Sequence, residues 1–177
     1  MIFPIQAKEW ESKSALLAHM DDAEGKMAVL GNDAEAPRKF YSFSIALDHG
    51  VSEVGVISSG LGTKPQVALL QGGRRAIVGY DTWMTWLDMK NKTAISSRRL
   101  NGVFYEFLRI GHENEILVVH ELGVARVAAD GSEVWSVHTG VVEQASFDGQ
   151  GNLILAIMDE PTRIVVSLET GRDSHIT

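Results

Sequence analysis

The chain has 177 residues, 45% of them hydrophobic and 22% charged, which suits one globular domain with an ordinary core. It contains no cysteine, so disulfide frameworks, thiolate metal sites and cysteine nucleophiles are excluded. Its formal net charge is −7 and its basic residues form no cluster. Because affinity for polyanions comes from basic patches, we expect no nucleic-acid partner.

Neither a secretory signal nor a membrane span is predicted. The start of the chain, MIFPIQAKEWESK, lacks a basic stretch followed by an apolar run. No segment approaches the ~20 apolar residues of a membrane-spanning helix. We therefore expect a cytoplasmic protein with no membrane partner.

A short helix is predicted near residues 7–20. Trp10, Leu17 and Met20 fall at roughly helical spacing, with polar residues between them, and Gly25 follows as a candidate cap. Residues 31–38 have the composition of a loop. Residues 1–35 are thus interpreted as a helix and a loop at the start of a single domain, 1–177.

A β-hairpin is predicted within residues 36–64. Residues 40–47 are rich in aromatic side chains and alternate in part, residues 48–50 (Asp-His-Gly) are a turn signal, and residues 54–57 form a second apolar run. Together these runs indicate two antiparallel strands joined by a short turn.

Residues 65–172 contain a repeat. Three stretches share one layout: a strand, a polar turn, a second strand and then a further strand pair around a tight turn. The second strands begin at Ala76, Ile116 and Leu153, and the terminal turns lie near Asn91, Asp130 and Thr170, which are 39 and 40 residues apart. A period near forty with several short strands is typical of propeller blades. Three unrelated hairpins with similar turns are the alternative.

One turn of this repeat resembles a known family. Residues 127–135, VAADGSEVW, are similar to the end of a blade in quinoprotein-type (PQQ-like) and related WD-like β-propeller repeats, where a strand enters an Asp-Gly turn and a tryptophan follows. Residues 166–172 resemble the same turn, and residues 86–92 are a weaker copy. The resemblance implies a blade-like fold and no quinone cofactor. We expect Trp135 to pack between neighbouring units.

The resulting fold class is all-β, with about three antiparallel blade-like repeats and a short N-terminal helix. Three blades cannot close a ring, because propellers use four to eight. The chain could form an incomplete propeller capped by the helix and the 40–57 hairpin, fold two sheets into a sandwich, or pair with a second copy. The sequence alone leaves these arrangements open.

No complete catalytic, metal or cofactor motif is present. His120-Glu121 lacks the second histidine of a zinc protease, because position 124 is valine and the segment is a strand. The six histidines show no metal-ligand spacing, and residues 148–152 lack the ligands of a calcium loop. Residues 60–64 are not a phosphate loop, and no Gly-x-Ser-x-Gly elbow occurs. We expect no metal and no cofactor.

Acidic residues follow the second strand of each repeat. If the units stack in register, these acids would line one rim, beside aromatic and imidazole side chains that could anchor a partner. The alternative is that acids simply begin turns. The candidate protein-binding residues are Asp81, Glu121, Asp159, Glu160, Tyr80, Trp83 and His120.

The function predicted from these features is a non-enzymatic protein-binding module with a basic partner. A small size, an acidic surface and the lack of a catalytic motif favour a bacterial immunity-type protein that neutralises a basic toxin. Two alternatives remain: a propeller-like scaffold that self-assembles, for instance as a homodimer, and a hydrolase whose acids converge only in the fold, such as Glu121 with Asp81 or Asp159.

Overall fold

The computed structural model describes residues 4–31, 36–48, 50–111 and 114–176, and nearly all of its regular structure is β. Among these residues no helix is long and apolar enough to cross a membrane. The centre of the predicted 31–38 loop, His49 in the predicted hairpin turn and residues 112–113 before the strand at Ile116 lie outside the described residues.

The first sheet has a strand order that differs from that of the repeat units. Its four strands and one helix are β1 (Ile5–Trp10), α1 (Lys13–Asp22), β2 (Lys26–Leu30), β3 (Lys39–Leu47) and β4 (Gly50–Ser58). The strand order is β1-β3-β4-β2. The pairs β1–β3 and β3–β4 are antiparallel, whereas β2 runs parallel to β4. The predicted 40–57 hairpin corresponds to β3 and β4.

The helix predicted near residues 7–20 begins only at Lys13. Ser12 caps it, because its Oγ accepts a hydrogen bond from Ala15 N at 3.2 Å. The residues before the cap are extended instead, since β1 pairs with β3 along its whole length and Trp10 Nε1 donates to Ser42 Oγ at 3.0 Å. With β2 also present, the described part of the predicted helix-and-loop segment, residues 4–31, contains two strands and a helix.

Three further sheets form the repeat, and each contains four consecutive antiparallel strands. Their strands are β5 (Gln66–Leu70), β6 (Arg75–Tyr80), β7 (Trp83–Asp88), β8 (Thr93–Arg99), β9 (Phe104–Leu108), β10 (Glu115–His120), β11 (Gly123–Ala128), β12 (Glu133–His138), β13 (Val142–Phe147), β14 (Asn152–Ile157), β15 (Arg163–Ser167) and β16 (Asp173–Ile176). The predicted second strands begin one residue later than the observed ones. We call the four sheets blades 1 to 4 in chain order.

The prediction of about three units was one short. The repeat in blades 2 to 4 is confirmed, but the first unit also folds as a four-stranded sheet and stacks on them. It escaped the sequence pattern because its strand order is different and a helix interrupts it. Its β2 joins the sheet edge in parallel after that helix, a connection that leaves no forty-residue spacing.

Apolar side chains fill the space between each pair of neighbouring blades. One cluster joins blades 1 and 2, a second joins blades 2 and 3, and a third joins blades 3 and 4. Buried members contributed by the two blades of a layer include Val54 and Val78 in the first, Trp86 and Val127 in the second, and Val119 and Leu155 in the third. The sheets therefore stack face to face as blades, and a two-sheet sandwich is not formed.

The two ends of the stack differ. At one end α1 covers blade 1, where Leu16 and Met20 are buried against Ile57; a cap of helix and hairpin was one of the arrangements left open, but the hairpin is part of blade 1 itself. At the other end, Leu155 of blade 4 points toward blade 3 and Ile154 points away from it, between its cross-strand neighbours Ser146 and Val165. In the described part of the chain, no hydrophobic cluster joins blade 4 to blade 1, so the blades form an open arc.

Trp135 packs between blades, as the resemblance implied. Its Nε1 donates to Leu168 O of blade 4 at 3.2 Å, and Arg126 Nη1 donates to the same carbonyl at 2.5 Å. Gly171 has a φ of +67°, and a Cβ placed there would lie 2.6 Å from Trp135 Cγ. Position 171 in the turn of blade 4 must therefore be glycine, so that the Trp135 indole can pack against it.

Candidate functional site

The turns between the second and third strands of blades 2 and 3 hold the blades together at one end. The carbonyl of Asp81 accepts a hydrogen bond from Phe104 N, in the first strand of the next blade, at 2.6 Å. The carbonyl of Glu121 does the same with Val142 N at 2.8 Å. Each turn is thereby bonded to the inner strand of the following blade; we use the term inner strand for β5, β9 and β13.

The predicted acidic rim is not in register in blade 4. Glu121 N donates to Val103 O at 2.8 Å, and in blade 4 Met158 N donates to Val141 O at 2.8 Å. Met158 is thus the structural equivalent of Glu121, and Asp159 lies one residue further along the turn. The third turn is also longer, because β14 and β15 pair only as far as Ala156 and Arg163.

Asp81 has a structural position at the junction of three blades. Its Oδ1 accepts from Ser58 Oγ at 2.6 Å, and its Oδ2 accepts from Ser59 N at 2.8 Å. Both serines lie at the end of blade 1, while the Asp81 carbonyl bonds to blade 3. The residue is only 8% exposed and has a φ of +47°. Its carboxylate therefore fixes a turn and offers little surface to a partner.

The other predicted binding residues differ in exposure. Tyr80 and His120 are buried, the latter with 4% of its surface exposed. Trp83 is 39% exposed. Glu121 is half-buried, and its Oε2 accepts from Val103 N at 3.3 Å, whereas Asp159 and Glu160 are exposed. Their role in binding stays a prediction, and the exposed or half-buried members are those able to touch a partner.

A groove of about 670 Å³ runs along the inner strands beside these turns. The residues that line the groove belong to the loop after blade 1, to the inner strands of blades 2, 3 and 4, to the second strand of blade 3 and to the turn of blade 4. Its lining consists of Thr63, Lys64, Gln66, Tyr105, Glu106, Val119, Val142, Glu143, Gln144, Ala145 and Met158. Val119 and Val142 are almost fully buried, so the accessible apolar surface comes from Tyr105, Ala145 and Met158, and charged and amide side chains surround it.

The groove residues were not predicted from the sequence. Gln66, Glu106 and Gln144 occupy equivalent positions, because they pair with Gly79, Val119 and Ala156 of the adjoining strands. When the three repeats are aligned by structure, a polar side chain recurs at this position of each inner strand, and that recurrence is the signal that could have located the groove. The sequence search instead followed the acids at the turns.

The charges at the groove are predominantly negative. Glu106 and Glu143 face it, and among the described residues neither carboxylate has a hydrogen-bond or ion-pair partner. Among the described residues of the lining, Lys64 alone is basic. Burial, with a smaller contribution from the Glu121 carboxylate, raises the pKa of Tyr105, whose side chain connects the groove with the turns.

The described residues contain no group of three histidine, aspartate or glutamate side chains that could hold a metal ion. The imidazole rings of His120 and His138 lie with their centroids 6.5 Å apart. His120 Nδ1 instead accepts from Leu122 N at 3.3 Å, and His138 Nε2 lies 2.8 Å from Asn101 Nδ2. Both rings thus bond to groups of the protein.

Comparison with known proteins supports the fold. The chain is similar to Kuenenia stuttgartiensis hydrazine synthase (TM-score 0.53, 14% identity, 88% of this chain and 50% of that chain). It is also similar to a chain of a mitotic checkpoint complex (TM-score 0.53, 9% identity, 78% and 48%). The Neurospora crassa Pan2 WD40 domain gives a TM-score of 0.50 at 14% identity, covering 63% and 37%.

These likenesses show a β-propeller-like fold and nothing more specific. The chain spans half or less of each of these structures. No protein-family model matches it, and no curated protein is significantly similar to it in sequence. The resemblance to quinoprotein repeats in particular therefore stays a prediction, while the wider propeller resemblance is supported.

Because its carboxylate is hydrogen-bonded to blade 1, we expect Asp81 to contribute to the stability of the fold, whereas the exposed Asp159 at the same end of the stack should not. Asp81→Asn should lower the free energy of unfolding by about 1–3 kcal/mol, because the carboxylate satisfies a buried hydroxyl and a backbone N–H. Asp159→Asn, which removes the same charge from an exposed site, should change it by less than about 0.5 kcal/mol. Urea melts of both variants measure the difference. Equal free energies of unfolding in the two variants would show that the Asp81 carboxylate does not join the blades.

The burial of His120 predicts a loss of stability in acid. Burial, reinforced by the charges of His138 and Arg98, lowers the pKa of His120 to about 4 from its ordinary 6.5. Between these values the unfolded chain binds a proton that the folded chain does not, so stability falls as the pH drops through this window. His120 should account for about 3 kcal/mol of the fall, since one pKa unit is about 1.4 kcal/mol.

Urea melts from pH 7.5 to pH 4 test this. His120→Gln keeps an acceptor for Leu122 N and should flatten the decline, whereas His175→Gln, at an exposed position, should leave it unchanged. The same pH slope in His120→Gln and in the unmodified protein would contradict the assignment.

Proposed function

We propose that the chain is a non-enzymatic binding module that holds a basic segment of another protein in the groove along its inner strands. The observation that carries this is the pair of carboxylates of Glu106 and Glu143, which make no hydrogen bond or ion pair with any residue that the structure describes and lie beside an apolar wall. Carboxylates left without cations at a concave surface attract a cationic ligand, and apolar walls supply contact area.

The size and surroundings of the groove support this assignment. Its volume of about 670 Å³ lies within the range of about 300–1,000 Å³ of common ligand sites. Glu121, Asp159 and Glu160 at the adjoining turns add negative charge without closing the groove. Such a surface accelerates the association of a basic partner through long-range attraction, an effect that salt weakens.

The finer form of the proposal is an immunity-type protein that neutralises a basic toxin. The net charge of −7 and the concentration of free carboxylates at one face support it. A basic toxin segment lying in the groove would be covered by the acids of the turns. The expected cytoplasmic location belongs to the same proposal.

A scaffold that self-assembles is the second candidate. The observation that favours it is β8, the outer edge strand of blade 2, whose seven residues are all exposed. Unpaired outer edges can join strands of a second copy into a homodimer. The hydrolase alternative is less favoured, because both carboxylate oxygens of Asp81 accept hydrogen bonds from blade 1 and the residue is buried.

Titration of a labelled ten-residue oligolysine tests the proposal. Glu106→Gln/Glu143→Gln should weaken binding about tenfold at low salt, since exposed ion pairs contribute about 0.2–1 kcal/mol each. Glu11→Gln/Glu24→Gln is the matched control, because it removes the same net charge from exposed residues of blade 1 and its connections.

The control double variant should bind oligolysine as the unmodified protein does, apart from a small effect of net charge. Equal weakening by the two double variants would show that only the overall charge matters and would contradict a binding groove. Size-exclusion chromatography with light scattering on the unmodified protein distinguishes the scaffold alternative, which requires a dimer or a larger assembly.

A further inference from the structure

The inner edge of blade 3 is covered by side chains of the preceding blade. Gln66 Oε1 accepts a hydrogen bond from Phe107 N at 3.1 Å. Thr63 Oγ1 donates to Tyr105 O at 2.5 Å. An N–H and a carbonyl on the free side of β9 therefore both have partners, and the edge is closed to any further strand.

The inner edge of blade 4 is built from equivalent residues but lacks this cover. Phe107 pairs with Val118 and Ala145 pairs with Leu155, at the same distance from their turns, so the N–H of Ala145 corresponds to that of Phe107. The residue corresponding to Gln66 is Glu106. Yet within the described part of the chain, no side chain is hydrogen-bonded to the backbone of residues 143–146.

We infer that β13 uses this open edge to pair with an extended basic segment of a partner protein, which would become a fifth strand of blade 4. The inference rests on the proposed function, for which it supplies the binding mode. β13 is an edge strand of its sheet, and its residues 142–145 line the groove. Edge strands present a row of backbone donors and acceptors, and peptides bind by adding to them.

The lining of the groove indicates which segment would fit. In an extended segment, successive side chains point to opposite faces. One set would point toward blade 3, where Glu106 lies on the same face as its cross-strand partner Val119, and basic side chains suit this set; the other set would point away from blade 3 and can be small and apolar. The preferred ligand is therefore a segment that alternates lysine or arginine with small apolar residues.

Peptides with selectively methylated backbones test the pairing. The probe is an octapeptide of alternating lysine and valine, with two N-methylated forms: one methylated at the lysines and the other at the valines. Methylation removes N–H donors on one edge of the strand only. Because a slip of one residue would also exchange the side-chain faces, the register is fixed.

One methylated form should bind about tenfold more weakly, the effect of losing about one net hydrogen bond, and the other should bind as the parent peptide does. If both forms bind equally well and Glu106→Gln/Glu143→Gln still weakens binding, the groove proposal survives and strand pairing is wrong. If the acid substitutions have no effect either, the proposed function fails as well.

Amide exchange by NMR gives a second readout on the unmodified protein. In the free protein the Phe107 amide should exchange slowly and the Ala145 amide rapidly, since only the former has a side-chain acceptor. Saturating octapeptide should slow exchange at Ala145 by about tenfold or more, as expected for a newly bonded amide. An Ala145 amide that is unaffected by the bound peptide would overturn the inference.

Discussion

Each blade has two faces that carry apolar side chains, and neither face can be buried within one sheet. The structure meets this constraint by stacking, so that Val78, Val118 and Leu155 each lie in a different layer between neighbours. The outermost faces differ: a helix covers blade 1, whereas the outer face of blade 4 combines Ile154 and Val165 with polar residues such as Ser146. Capping of this kind is what a stack of repeats needs at its ends.

Stacking alone does not fix the angle between blades, and the turns at one end supply that restraint. Asp81 bonds to the end of blade 1 through its carboxylate and to blade 3 through its carbonyl. Glu121 repeats the carbonyl bond to blade 4. These links hold the inner strands side by side, and the groove with Glu106 and Glu143 is the space that this spacing leaves. The proposed binding site is therefore a consequence of how the blades are joined.

The sequence predicted the part of the fold that repeats. Strand alternation, glycine turns and the forty-residue period located blades 2 to 4 within a residue at their second strands, and Trp135 was correctly placed between blades. Of the first blade, the β3–β4 hairpin and a helix were predicted, but not the four-stranded sheet, because the pairing of Ile5–Trp10 with β3 depends on contacts distant in sequence. The site was predicted only in part: acids do mark the turns, but the burial of Asp81 and the shift from Met158 to Asp159 depend on three-dimensional register.

Hydrogen exchange at Phe104 and Val142 measures the central claim most directly. Both amides begin inner strands and donate to turn carbonyls of the preceding blade, at 2.6 and 2.8 Å. If these bonds join the blades, both amides should be protected as strongly as the central strands and should exchange only through global unfolding. Exchange of either amide as fast as that of exposed turns, with the central strands still protected, would show that the blades are not linked there and would contradict the account.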